Sequence, residues 1–129
     1  MRALVQTVDG VFELDLEEEQ VLGLQTDARL SARGPKVGLP RVIATAGSGS
    51  TVVAVVDRRP PLAVSHDAGR TWREAGGGLP PGRAVVIAEE NPDLVLYAAR
   101  NRLYLSTDGA RFWRALAPEL PEIQALAFK

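Results

Sequence analysis

Apolar residues in this chain fall in short runs rich in Val, Ala, Leu and Tyr, and each run is closed by Gly, Pro, Asp or Asn. Short runs of that composition between turn formers predict strands rather than helices. No window sustains a helical repeat. Residues 15–24 come nearest, and there Glu17-Glu18-Glu19 reads as a hairpin tip with 20–24 as the returning strand. Runs at 84–88, 94–99, 103–106 and 112–116 form one set of four, and 42–46, 52–56, 62–65 and 71–74 form another. Both sets have the proportions of an up-and-down four-stranded sheet with short connections.

Two landmarks repeat in step with these sets. Leu39-Pro40, Leu79-Pro80 and Leu120-Pro121 each precede an apolar run, at spacings of 40 and 41 residues. Proline suits that place because it ends a loop without owing a ladder hydrogen bond. The second landmark is Ser65-His66-Asp67-Ala68-Gly69-Arg70-Thr71-Trp72, with a weaker copy 41 residues later at Ser106-Thr107-Asp108-Gly109-Ala110-Arg111-Phe112-Trp113. Spacings of ~40–45 residues are those of four-stranded propeller blades. The Ser-x-Asp-x-Gly-x-Thr-Trp pattern resembles the Asp-box of the bacterial-neuraminidase-type repeat, a β-propeller family. The resemblance covers most of 41–129 and implies an all-β propeller, like the Asp-box propellers that serve as assembly or scaffold factors, the photosystem-assembly type among them. It also implies structural roles for Ser65, Asp67, Gly69, Thr71 and Trp72, and for Ser106, Asp108 and Trp113: the polar groups brace the turn between strands three and four, and the tryptophans pack between sheets. The second copy lacks the Thr and carries its glycine at Gly109, which predicts a different turn.

The two ends of the sequence complement each other. Residues 3–12 align with strands two and three of the later sets, whereas 122–129 supply a strand one. One domain of three four-stranded blades follows: a partial blade over 1–38, blades over 41–78 and 82–119, and a strand over 122–129 that completes the first. Three blades are fewer than the four to eight of known rings. The expectation is therefore a twofold homodimer of six blades, its seam formed by Ile123, Ala125 and Ala127 of one copy pairing with Leu4 and Gln6 of the other. The first blade also carries about ten extra residues near 26–36, judged against ordinary connections, expected to extend its last strand or overhang the channel mouth.

Composition narrows the chemistry. With 129 residues, 46% hydrophobic and 24% charged, the chain can bury one modest core. A net charge of −1 argues against a strongly basic nucleic-acid binder. No cysteine is present, hence no disulfide or thiolate metal site. No opening apolar run resembles a secretion signal, and no stretch is long enough to span a membrane. A cytoplasmic protein without cofactor or metal is expected.

No catalytic set emerges. His66 is the sole histidine and sits in a turn, while Gly76-Gly77-Gly78 lacks the Lys-Ser/Thr of a phosphate loop and reads as a linker. Sialidase-like glycosidases of the resembled family carry a Phe-Arg-Ile-Pro element, and Leu39-Pro40-Arg41-Val42-Ile43 does not match it. Glu89-Glu90 and the Glu17-Glu18-Glu19 run read as solvated turns. Alternating strand direction would gather Arg58, Arg59, Arg83, Arg100 and Arg102, with Arg33 and Lys36, on one face against Asp9, Asp57, Glu119 and Glu122. The leading expectation is a non-enzymatic interaction module whose basic channel mouth binds an anionic or protein partner. The alternative is a glycan-binding or glycosidase propeller, for which aromatic content of only 5% offers little stacking surface.

Overall fold

The computed structural model describes residues 1–31 and 34–129; Arg33 lies outside the described residues. Twelve strands and no helix are found among them. Blade I holds β1 (Arg2–Thr7), β2 (Gly10–Asp15) and β3 (Gln20–Gln25); blade II holds β4 (Val42–Ser48), β5 (Thr51–Val56), β6 (Leu62–Ser65) and β7 (Arg73–Ala75). Blade III holds β8 (Ala84–Ala88), β9 (Asn91–Ala98), β10 (Arg102–Ser106) and β11 (Arg114–Glu119), and β12 (Ile123–Phe128) follows. All ladders are antiparallel, giving three four-stranded sheets ordered β12-β1-β2-β3, β4-β5-β6-β7 and β8-β9-β10-β11.

Blade III stands between the other two, because β8 lies beside both β4 and β12. Its strand β9 shows why. Leu96 and Ala98 point to one side and join Ala3, Val5, Leu14 and Leu16 of blade I. Val95 and Tyr97 point to the other side and join Val53, Val55, Leu62 and Val64 of blade II. A strand buried on both faces carries apolar residues continuously rather than alternately, as Leu94-Val95-Leu96-Tyr97-Ala98 does. Each such side chain contributes about 1.5–3 kcal/mol of burial when large and aliphatic. Leu16, just before the acidic tip, is fully buried in the I–III core.

The seam expected between two copies lies within one chain. β12 pairs with β1 of its own polypeptide, in the register Leu4↔Ala127, Gln6↔Ala125 and Thr7↔Ile123. Val8 N donates to Glu122 O at 3.0 Å, Lys129 N donates to Arg2 O at 3.1 Å, and Gln6 Nε2 donates to Gln124 Oε1 at 3.0 Å. The pairing partners are those the sequence indicated; their assignment to different chains is corrected. The reason is placement. Only residues 120–122 separate β11 from β12, and blade I packs directly on blade III. β12 therefore emerges beside its own β1, with no concentration-dependent association to offset.

The extra residues of blade I acquire a purpose from the same order. Residues 76–83 and 120–122 join neighbouring blades. The 26–41 link, by contrast, must pass from the outer strand of blade I to the inner strand of blade II with blade III between them. It does not extend β3, which ends at Gln25. Leu30 N donates to Gln6 Oε1 of blade I at 2.6 Å, and Thr45 Oγ1 of blade II donates to Pro35 O at 2.6 Å. Inner strands β4, β8 and β12 form three sides of a central cavity of about 570 Å³, and Gly34, Pro35 and Lys36 of the link line the remainder. At Gly34 the close approach to the Thr45 backbone leaves no room for a side chain.

Shortening 26–41 to the eight-residue length of 76–83 should remove the reach needed to close blade I in-chain, because each extended residue spans at most ~3.6 Å. A Gln6→Cys/Ala125→Cys pair reports the outcome on a denaturing gel. With the full link the disulfide is expected within one chain, and with the short link it is expected to join two chains. A short-link protein that still crosslinks within one chain would show that link length does not set the connectivity.

Candidate functional site

Alternating strand direction sorts the connections onto two faces. On one face Leu120 N donates to Asn101 O at 2.9 Å and Ile123 N to Arg100 O at 2.7 Å, so the β9–β10 and β11–β12 connections are held together. On the other face Ala68 N donates to Ser50 O at 2.9 Å and Gly109 N to Asp93 O at 3.0 Å, which places the two Ser-x-Asp boxes, 65–72 and 106–113, there.

Each box is a closed hydrogen-bond knot. Ser65 Oγ donates to Asp67 Oδ1 at 2.7 Å and accepts from Gly69 N at 2.8 Å. Asp67 in turn accepts from Thr71 N at 2.8 Å and Thr71 Oγ1 at 2.6 Å. These donors, Thr71 foremost, hold the Asp67 carboxyl well below its ordinary 3.8. In the second box Ser106 Oγ donates to Asp108 Oδ1 at 2.9 Å, while Arg111 N and Phe112 N donate to the same oxygen at 3.2 and 3.0 Å. Phe112, in place of the threonine, is left 79% exposed. The expectation of a different second turn is corrected: Ala68 and Gly69 have φ of 60° and 87°, and Gly109 and Ala110 have 73° and 72°. One backbone serves both boxes, with the glycine at either of two left-handed positions. Trp113 packs edge-on to Tyr97 at 5.8 Å in the II–III core. Trp72 instead donates Nε1 to Gly69 O at 3.0 Å and belongs to neither buried cluster.

The residue after each tryptophan was not singled out from sequence. Arg73 Nη2 of blade II donates to Gly109 O of blade III at 2.7 Å. Arg114 Nη2 of blade III donates to Leu16 O of blade I at 3.3 Å. Two repeat-related arginines thus clasp successive blades, and the shared Trp-Arg spelling was the available signal. Glu19 of the acidic tip, read as solvated, accepts from Ala117 N at 2.6 Å and ties blade I to blade III.

The five arginines expected to form one basic mouth divide three ways. Arg58 and Arg59 line a groove of about 800 Å³ shared with Pro60, Pro61, Pro80, Pro81 and Tyr104. Arg58 lies 3.8 Å from Glu74, whereas Arg59 is exposed and makes no ion pair among the described residues. Arg83 and Arg100 converge on Glu122, at 3.9 and 3.2 Å, and share its single negative charge. Arg102 Nε donates to Leu116 O at 3.0 Å inside its own blade and is a structural brace. Lys36 lines the central cavity, apart from the groove. Beneath the groove wall, the Tyr97 hydroxyl donates to Pro80 O at 2.5 Å. Burial raises its pKa, so it stays protonated and keeps that bond. Gly82 is required beside it, since a Cβ would run into the Tyr97 ring. His66 is exposed, with Nδ1 3.3 Å from Thr51 Oγ1. No group of three or more metal-ligating side chains occurs among the described residues.

No protein-family model matches the chain, and no curated protein matches it. Solved structures do. A structure of YCF48 bound to D1 peptide superposes with a TM-score of 0.55 at 15% identity, covering 95% of this chain and 39% of that one. The GH74 enzyme of Niastella koreensis superposes with a TM-score of 0.53 at 18% identity, covering 95% of this chain and 18% of that one. Both likenesses concern the fold, a β-propeller arrangement, and this chain spans well under half the length of either structure.

Four substitutions test this geometry. Ala68→Gly, at an exposed left-handed position, should stabilise by about 1 kcal/mol, the cost an L-residue bears there. Ala110→Gly should gain less, because Ala110 is buried and its methyl packs in the core. Arg73→Ala should cost about 1.5–3 kcal/mol, the range for a hydrogen bond to a charged group, read from denaturant midpoints. Because the folded Asp67 carboxyl is depressed, its contribution is complete above the unfolded carboxyl pKa and is lost as pH falls from about 4 toward the folded value. Asp67→Asn should therefore flatten the acid limb of a stability–pH profile below about pH 4, and an unchanged limb would mean the box carboxylate is not its source.

Proposed function

We propose that this protein is a non-enzymatic, cytoplasmic propeller module that binds an acidic, extended protein segment in the Arg58–Arg59 groove. The observation that carries the reading is the groove itself: an uncompensated Arg59 beside Arg58, between walls of consecutive prolines and with Tyr104 in its lining. Proline and tyrosine offer rigid apolar surface at small entropic cost, and arginine offers bidentate capture of carboxylates. Arg83 and Arg100 are both drawn to one carboxylate, whereas Arg59 pairs with none among the described residues. Peptide binding in the structurally similar YCF48 complex is compatible with this reading. Completion of the ring to six blades by a second copy belongs to the same proposal, through packing of the outward faces of blades I and II rather than exchange of β12.

Titration with a fluorescent Glu- and Pro-containing peptide tests the groove. Arg59→Ser should weaken binding about 10-fold and Arg58→Ser less, with affinity falling as salt rises. Arg102→Ser should lower stability without a separate effect on affinity. Equal loss from Arg83→Ser and Arg59→Ser would locate binding elsewhere, and hydrolysis or capture of glycans would favour the carbohydrate reading instead. Light scattering checks ring completion, with twice 13.8 kDa expected.

A further inference from the structure

The three inner strands border two cavities set end to end. The first, of about 570 Å³, is lined by 42–45 of β4, 83–85 at the start of β8 and 124–126 of β12. The second, of about 310 Å³, lies further along the same strands, at 45–47, 85–87 and 126–127. Gly34, Pro35, Thr45, Val85 and Leu126 line both, so the two are neighbouring parts of one passage beside the 26–41 link. Charge divides its ends. Lys36 and Arg83 line the first cavity, and no acidic side chain lines either cavity among the described residues. Lys36 makes no ion pair among those residues. Arg83 reaches Glu122 Oε1 only at 3.9 Å, whereas Arg100 holds that oxygen at 3.2 Å. The second cavity has no charged lining among the described residues. Leu30, Val86, Ile87 and Ala127 give it aliphatic walls, and the Thr45 hydroxyl already donates to Pro35 O.

We propose that this passage binds a medium-chain organic monocarboxylate, its head held by Lys36 and Arg83 and its alkyl tail lying along Val85 and Leu126 toward Ile87. A guanidinium offers a carboxylate two parallel N–H donors, and the ammonium adds a second positive charge. Aliphatic walls favour a chain over a compact anion, because the gain on burial scales with apolar area. A sugar phosphate would leave its hydroxyls without partners against Ile87 and Ala127, which is unfavourable. The path from Arg83 to Ile87 is ~13 Å of extended strand, and that distance sets the chain at medium length. Both volumes suit a small molecule, in a site that is mostly apolar with a few charged groups at one end. Neither cavity shares a lining residue with the Arg58–Arg59 groove, so this site is independent of peptide binding there.

Calorimetric titration with sodium octanoate tests the passage. Octanoate should bind about 10-fold more tightly than hexanoate, since each of two further buried methylenes adds about 4-fold, and acetate should not compete. 1-Octanol, which has the tail without the charge, should bind about 10-fold more weakly than octanoate. Lys36→Ala combined with Arg83→Ala, both at exposed positions, should erase the preference for octanoate over octanol while the melting temperature and the groove's peptide affinity hold. Ala127→Leu, at the aliphatic end, should weaken octanoate more than hexanoate. Absence of octanoate binding at millimolar concentration, equal binding of octanol, or octanoate affinity unmoved by the Lys36 and Arg83 changes overturns the inference. Acetate competing as well as octanoate would reduce the site to an adventitious anion contact and overturns it too.

Discussion

The arrangement depends on one ladder, β12 against β1, formed between the two ends of the same polypeptide. It converts a strand that would otherwise be an unpaired apolar edge into the inner strand of blade I. It also fixes blade I against blade III, since Ile123 and Leu126 of β12 enter the same core as Leu96 and Ala98. The chain thereby runs through its blades in an order different from their order in space. The long 26–41 link is the consequence, as the polypeptide must return across the middle blade. What resembles a loose insertion in the sequence is a geometric requirement of closure.

Between the blades, apolar packing and polar clasps share the work unequally. The two cores are built from Val, Leu, Ile, Ala and one fully buried tyrosine, and they supply the non-directional part of the attraction. Arg73, Arg114 and Glu19 add direction, because each bonds a backbone group of a neighbouring blade. The Ser-x-Asp turns work at shorter range. They stiffen the turn from which the tryptophan and the clasping arginine project, and the second also meets blade II directly, its Gly109 carbonyl accepting from Arg73.

The loop face shows how little a count of charges says about a site. Five arginines near one end of the blades become one brace, one shared ion pair and one groove, according to the carbonyls and carboxylates within reach. In the groove, Arg59 has no ion-pair partner among the described residues. The groove also needs the rigid Pro80 carbonyl held by Tyr97, which depends on the small residue at Gly82.

Strand positions, the three four-stranded sheets and the Ser-x-Asp turns were legible in the sequence because they are set by local chemistry: apolar runs, turn formers and hydrogen bonds spanning a few residues. The partners of β1 and β12 were legible too, since repeat alignment carries register. Which polypeptide supplies each partner was not, because that depends on where blade I lies relative to blade III and on the distance the 26–41 link must cross. Likewise, sequence placed the arginines on loops, but the fate of each was decided by long-range neighbours: Glu122 for Arg83, Leu116 for Arg102, and Pro80 and Tyr104 around Arg59. Residue type and spacing determine what a segment can do alone; only packing brings together groups far apart in the chain, and charge compensation is a property of that packing.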